Sequence, residues 1–514
     1  MTASAIALFA ACSNGGKTST AQQSSAPSAS PSAPAVTQDT PPAENARTPV
    51  VGNGQPGSTP PADAIPPTPK PLFAHEWYVS NSGSDSAPGS SAQPFQTINK
   101  GIAAAGPGDR ITVKAGTYRE DVNIDTNGKD GTAAEPILLQ GEGMPKIVPA
   151  GHSTMVLVGH SHWIIDGFEV DIEGQTADGV GFYRDASGST LRNSSVHHGT
   201  GTQGINVWSH ASDVTIEKNQ IFDIFKAPMV DAHGVHVEWT TKNTVIRGNM
   251  ISGNSGDDFQ CEGPEPYGNF APADGVTLED NDLAGSFEQA FDIKTCTNVV
   301  IRNNHVHDFA TGGGASAVIH MSASNVLVEN NLFENVGKAL ALGGNRVGPM
   351  PANVVIRGNR MRGISSGPGT DGINREGVGI WIENADHPVV ENNTILGAQV
   401  SALHIGGGVN GPTDGLTLRN NILAGKPLEI GPNAPGLVSQ TNLFESGATI
   451  GGAAITDWLV SVGDSGSNVA AGPLANADTF APAASAIDAA TSSSARAACG
   501  DGLDIGAVET GCTP

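Results

Sequence analysis

The sequence predicts an all-β chain wound as a right-handed parallel β-helix. The expected coil has three short strands per turn and about ten turns, an N-terminal helical cap and a short C-terminal extension. Three observations carry that expectation. The 514 residues include 66 Gly and 34 Pro but only 5% aromatic and 15% charged residues, too little charge for a coiled coil and too regular a pattern for wholesale disorder. A motif of alternating aliphatic residues, two polar residues and Asn recurs along the chain. A second alternating segment precedes each copy.

The chain begins with apolar Ala3 to Ala11 followed by Cys12, which resembles the end of a bacterial lipoprotein signal. Residues 1–12 are therefore read as an export signal with Cys12 as the lipidation site. Residues 13–74 are rich in Ser, Pro and Ala with almost no large apolar side chains, so they cannot bury enough surface to fold and are expected to form a disordered tether. The four remaining cysteines are an even number, as in an oxidising compartment. Proximity in sequence favours Cys261 with Cys296 and Cys499 with Cys512. Acidic residues exceed basic ones by 51 − 26 = 25, which argues against nucleic acid or anionic membranes as partners. No apolar run reaches the roughly 18 residues of a spanning helix, leaving a lipid anchor as the only expected membrane contact. The expectation is an exported monomer, secreted or held at the cell surface or outer membrane as a lipoprotein.

The repeat reads DVTIEKNQI, TVIRGNMI, GVTLEDNDL, NVVIRNNHV, NVLVENNLF, NVVIRGNRM, PVVENNTIL and GLTLRNNIL. Its aligned asparagines are Asn219, Asn249, Asn281, Asn304, Asn331, Asn359, Asn393 and Asn421, separated by 30, 32, 23, 27, 28, 34 and 28 residues. Two-residue alternation means strand, and a period of this length means stacked units sharing one core. Asparagines at the same bend of successive turns, about 4.8 Å apart, can bond one another and the backbone inside the corner. They are expected to be structural. Cys261 and Cys296, 35 residues apart, then fall on neighbouring turns, where a disulfide tests the register. The coil is assigned to 151–445 and the extension to 446–514.

Such a rod needs a cap over its first turn. Residues 75–150 provide it, with Phe95, Ile98 and Ile102 at helical spacing between Pro94 and Ala105 and a Gly-rich stop at Gly106 to Gly108. The stretch from Trp77 to about residue 150 resembles the opening of polysaccharide lyases of family 9 and of other pectate-lyase-like β-helix proteins. SAIDAAT and DIGAVE near the C-terminus resemble their tails. The resemblance implies the fold and, more loosely, carbohydrate chemistry.

In the second set of strands the alternation turns two rows outward. One row holds Asn206, His236, Gln260, Asp292 and Trp381. The other holds Trp208, Glu238, Glu262, Lys294, His320 and Glu383. Lys294 is expected to be the only lysine on this strip. Glu238, Glu262 and Asp292 supply carboxylates from successive turns for an oxygen-seeking cation such as Ca2+, and Asp231, Asp257 and Asp258 at the strand starts form an alternative set. β-Elimination from a uronate needs its carboxylate neutralised, a base for the adjacent proton and an acid for the leaving oxygen. Calcium fits the first task. Lys294 fits the second if its surroundings lower its pKa, and His320 or His236 fits the third. Trp208, Gln260, Trp381 and Glu383 are candidate substrate contacts.

The resemblance to family 9 lyases implies calcium ligands at Asp231, Asp257 and Asp258 and a base at Lys294, with Cys261 where that family carries a further Asp. FDIKTCTNV is also similar to the lysine strand of family 6 lyases, although His320 stands where an Arg follows there. The expected activity is a polysaccharide lyase on an acidic polymer. An epimerase would share the proton abstraction. A hydrolase using Gly256-Asp257-Asp258 is a further alternative, although His233-Gly234 precedes the pair rather than following it as in polygalacturonases. A glycan-binding or adhesive surface protein would need no catalysis.

Overall fold

In the computed structural model, residues 73–510 are described apart from 202, 229, 264–270, 310–314, 345–348, 369–373, 407–410, 426–428, 431–433, 451–452, 488 and 491–502. The expected signal, Cys12, nearly all of the tether, and Cys499 with Cys512 lie outside the described residues.

Alternating aliphatic residues close a parallel β-helix. Its strands fall into three parallel sheets of 14, 12 and 14 strands, which run side by side along the coil and recur in the same order in each turn. The first sheet runs from Glu76–Val79 to Val438–Gln440, the second from Val122–Asn123 to Glu429–Ile430, and the third from Thr117–Arg119 to Asn468–Ala470. Twelve or more turns replace the expected ten, and at about 4.8 Å per rung the rod is about 60 Å long. The first turns escaped the count because their corners carry no asparagine of the repeat.

The corner between the first and third sheets explains the repeat. Asn304 Oδ1 accepts from both Asn281 N and Asn281 Nδ2 at 3.0 Å, while Asn304 Nδ2 donates to Leu278 O at 2.9 Å and Asn331 Oδ1 at 3.0 Å. The same exchange recurs along the ladder and continues one turn further, where Asn442 Oδ1 accepts from Asn421. All of these side chains are buried. Asn303, just before Asn304, takes φ 56° and Gly358, just before Asn359, takes φ 64°, the left-handed conformation that Asn and Gly tolerate. Outside the first sheet the register repeats as charge: Arg247 meets Glu217 at 2.6 Å, Arg302 meets Glu279 at 2.6 Å and Arg357 meets Glu329 at 2.7 Å. These partly exposed pairs each contribute about 1 kcal/mol or less.

The cap forms as a helix over Ile98–Ala104, with Thr97 Oγ1 accepting from Lys100 N. Ile98 and Ile102 are buried with Val79 and Ile111 in the first turn. Gly101 allows this closeness, since a Cβ there would stand 2.9 Å from both Val79 and Ile111. At the other end the tail lies back on the third sheet: Ala486 and Ile505 are buried with Ile422 and Leu443, and Ala507 N donates to Thr394 Oγ1. Cys261 and Cys296 form a disulfide with a Cα separation of 6.2 Å.

Asn304→Ala removes two acceptor contacts and two donor contacts in a sealed corner. It should destabilise the protein by about 3 kcal/mol, because several buried groups lose their partners together. The exposed Asn298→Gly should move the urea midpoint far less.

Candidate functional site

The second sheet presents the two expected rows. Asn206 pairs with His236, His236 with Gln260, and Gln260 with Asp292 in the parallel register, and Glu238 pairs with Glu262. Lys294 N bonds Cys261 O and His320 N bonds Ile293 O, which extends the second row by two turns. Between these residues Val235, Val237, Phe259, Ile293 and Ile319 are fully buried in the core. Aliphatic packing on one face of the sheet thus holds polar groups on the other.

Lys294 sits at the centre of this face. Its ammonium lies 3.5 Å from Glu262 Oε2 and 3.7 Å from Asp292 Oδ2, with 21% of its side chain exposed. Asp292 Oδ1 stands 2.9 Å from His320 Nε2, too bent for a hydrogen bond. His236 Nε2 lies 3.8 Å from Glu262 Oε2 and lacks a hydrogen-bond partner. Asn206 Nδ2 donates to Glu238 Oε1 at 3.2 Å. Four successive turns therefore bring Glu238, Glu262, Asp292 with Lys294, and His320 together.

The electrostatics correct one expectation. Burial opposes the charge on Lys294, but the carboxylates of Asp292, Glu262, Asp257 and Asp231 outweigh it and hold the amine above its ordinary value. Lys294 is a firm cation in the free protein, not a lowered base. Asp292 is held below the usual carboxylate range because His320, Lys294 and His233 outweigh its burial. His236 is pushed well down by burial, then by His233 and Lys294. It is a neutral imidazole, unsuited to donate a proton as an imidazolium.

A second cluster lies at the strand starts. Asp257 Oδ2 is 3.2 Å from His233 Nδ1 and accepts from Gln260 Nε2 at 2.9 Å, while Asp257 Oδ1 accepts from Gln289 N at 2.9 Å. One ligand atom from each of His233, Asp257 and Glu288 lies within 4.8 Å of the others. Exposed Asp231 adds charge to the same group. Burial, followed by the Asp257 and Asp231 charges, pushes Glu288 up to about 8. Neither His233 nor Glu288 stood among the expected ligands. Glu288 belongs to the turn before Phe291–Ile293, so strand alternation could not find it.

Asp258 does not face the groove. Its side chain turns inward, where Oδ1 accepts from Asn254 Nδ2 at 3.0 Å and from Ser286 Oγ. Burial pushes its carboxyl well up, so Asp258 is an interior corner group and not a cation ligand. Gln260, 3% exposed, is spent on Asp257 rather than on substrate.

The outer positions also differ from expectation. Trp208 leans over Gly181 on the preceding turn, where a Cβ would meet its ring at 2.6 Å, and lies 5.2 Å from Tyr183 between ring centroids. Trp381 stacks on His404 at 3.7 Å, with the Lys338 ammonium 4.6 Å from its centroid. Both indoles therefore have packing partners. Lys338 opens the strand Lys338–Gly343 and pairs with Glu376 at 2.7 Å, so Lys294 is not the sheet's only lysine. Glu383, 7% exposed, packs its stem against Gly406, where a Cβ would stand 3.1 Å away.

Residues 77–264 match the family model described as "Pel9A-like, right handed beta helix region", and residues 266–441 match "Right handed beta helix region". No curated protein matches the chain. Among solved structures, pectate lyase Pel9A is 20% identical, with 85% of this chain and 96% of that one covered at a TM-score of 0.41. The catalytic unit of a GH87 α-1,3-glucanase from Streptomyces thermodiastaticus strain HF3-3 is 15% identical, with 79% and 71% covered at a TM-score of 0.49. The PL6 family alginate lyase AlyGC is 15% identical, with 79% and 55% covered at a TM-score of 0.45. With the two family models spanning most of the coil, the chain is a right-handed β-helix protein whose residues 77–264 match the Pel9A-like model.

Proposed function

We propose that this protein is an exported polysaccharide lyase that cleaves a uronate-containing polymer by β-elimination at the second-sheet groove. The observation that carries the reading is the ammonium of Lys294 held between Glu262 and Asp292, with His320 on the next turn. Lys294 takes the proton beside the uronate carboxylate. The electron pair left behind forms the C=C bond as the glycosidic C–O bond breaks, and His320 protonates the departing oxygen. The Asp292 carboxylate lies beside both groups, 3.7 Å from Lys294 and 2.9 Å from His320. The Cys261–Cys296 disulfide supports the export reading.

The amine must first lose its proton. The excess of carboxylate around it opposes that loss, so the site needs positive charge before it can work. The residues fit a divalent cation: Asp257 and Glu288 converge beside His233, and burial, followed by the Asp257 and Asp231 charges, drives Glu288 toward its neutral form. Asp231, Asp257 and Glu288 would supply the oxygens for Ca2+ or a similar ion, which would neutralise the substrate carboxylate and the surrounding acids. Asp257, held by Gln260 and Gln289 N, stays fixed for that role. A second reading rests on Glu288. A carboxylic acid still protonated near neutral pH is what a glycoside hydrolase requires of its general acid.

Incubation with pectate, alginate and glycosaminoglycans, with and without chelator, separates these readings. Unsaturated ends absorbing in the ultraviolet, lost with chelator, are expected. Reducing ends without that absorbance would indicate hydrolysis, and binding without either a surface module. Lys294→Ala should lower the elimination rate by about 10²- to 10⁴-fold, the usual share of a proton-transferring side chain. Wild-type activity in that variant would remove Lys294 from the mechanism.

Protonation of Glu288 also leaves a trace in stability. Its pKa rises from 4.5 in the unfolded chain to about 8 in the fold, so the folded state binds the extra proton between those values and loses stability as pH rises through them. Glu288→Gln should flatten that decline in melting temperature. Added Ca2+ should raise the wild-type melting temperature near pH 8 and have a smaller effect on the variant.

A further inference from the structure

Outside the groove, two other clusters bring His and Asp ligand atoms within 4.8 Å of one another among the described residues: Asp171 with His197 and His198, and Asp282 with His305 and His307. The first already holds a cation, since Lys146 Nζ lies 3.0 Å from Asp171 Oδ2. The second has no Lys or Arg paired with its Asp282 among the described residues. It sits on the outer face of the third sheet, where Asp282 pairs in register with His305 and Ala284 with His307. The strand His305–His307 turns both imidazoles the same way, with ring centroids 4.3 Å apart and planes 27° apart. His305 Nδ1 lies 3.3 Å from Asp282 Oδ2, and His307 Nε2 lies 3.2 Å from Asp282 Oδ1.

The outer nitrogens complete the pattern. His305 Nε2 is 2.7 Å from Glu334 Oε2, and His307 Nδ1 is 2.7 Å from Asp308 Oδ2. Those carboxylates are themselves held, Glu334 by Arg362 Nε at 2.6 Å and Asp308 by Asn335 Nδ2. A carboxylate behind each imidazole fixes the tautomer, aims the opposite nitrogen and raises its basicity, as around bound metals. Simple ion pairing with Asp282 would not require two parallel rings, each backed by a separate acid.

We propose that Asp282, His305 and His307 form a binding site for a borderline transition-metal dication of the zinc class. Two imidazoles and one carboxylate suit such an ion better than Ca2+, which takes oxygen ligands. The partly exposed side chains leave a further coordination position for water. The ion ties the turn of Asp282 to the turn of His305 and His307. It lies on a different sheet from Lys294 and is independent of the elimination chemistry.

Zinc chloride titrated calorimetrically into the full chain tests this, using near-isosteric changes at partly exposed positions. Asp282→Asn and His307→Gln should each bind one zinc equivalent fewer than the wild type at micromolar free zinc. Groove ligands are common to all three proteins and cancel in the difference. Asp308→Asn, which touches no metal, should keep the stoichiometry and weaken that site by about 10- to 100-fold. Zinc should also raise the melting temperature more in the wild type than in Asp282→Asn. Equal stoichiometry and affinity in wild type, Asp282→Asn and His307→Gln would overturn the assignment, as would a wild type that binds no zinc at micromolar concentration.

Discussion

Register is the constraint on which the rest depends. A parallel coil can place chemistry on its surface only if every turn starts in phase with the one before, because a one-residue slip would exchange inward and outward side chains. The buried asparagine corner imposes that phase. Each Oδ1 accepts two N–H groups of the preceding turn and each Nδ2 spans two turns, so a slipped turn would leave polar groups unpaired in a dry interior. The alternating Glu and Arg row on the first sheet and the Cys261–Cys296 bond repeat the same phase elsewhere. The three sheets then differ mainly in what the fixed register lets them display.

On the second sheet the result is a concentration of acid around one amine. Asp231, Asp257, Glu262, Glu288 and Asp292 outnumber Lys294: the acids hold Lys294 protonated, and burial together with the Asp257 and Asp231 charges drives Glu288 toward its neutral form. An amine in this state is a poor base until counter-charge arrives. In the proposed elimination, cation binding and proton abstraction thus become a single electrostatic problem. That differs from a lysine lowered by burial alone, which would be competent before anything bound.

The repeat made the sheets, the asparagine corner and the two outward rows legible in the sequence, because each follows from period-two alternation repeated at fixed spacing. Asp292, Lys294 and His320 were placed by counting along strands. Side chains at bends escaped that counting. Asp257 and Asp258 are adjacent in sequence, yet one faces Gln260 and Gln289 while the other turns in to Asn254 and Ser286. Glu288 joins from a turn that carries no alternation. Ionisation was equally hidden, since the pKa of Lys294 depends on acids contributed by several turns. Whether an indole is free for a sugar depends on neighbours such as Gly181 and His404, which become adjacent only once the coil has closed.

The most direct test of the account is a crystal structure of the Lys294→Ala protein soaked with uronate oligosaccharides. The account places the sugar along the second sheet, across the turns of Glu262, Asp292 and His320, with a uronate carboxylate toward Asp257 and Glu288. Sugar bound instead to the first or third sheet, or to second-sheet turns remote from position 294, would contradict it.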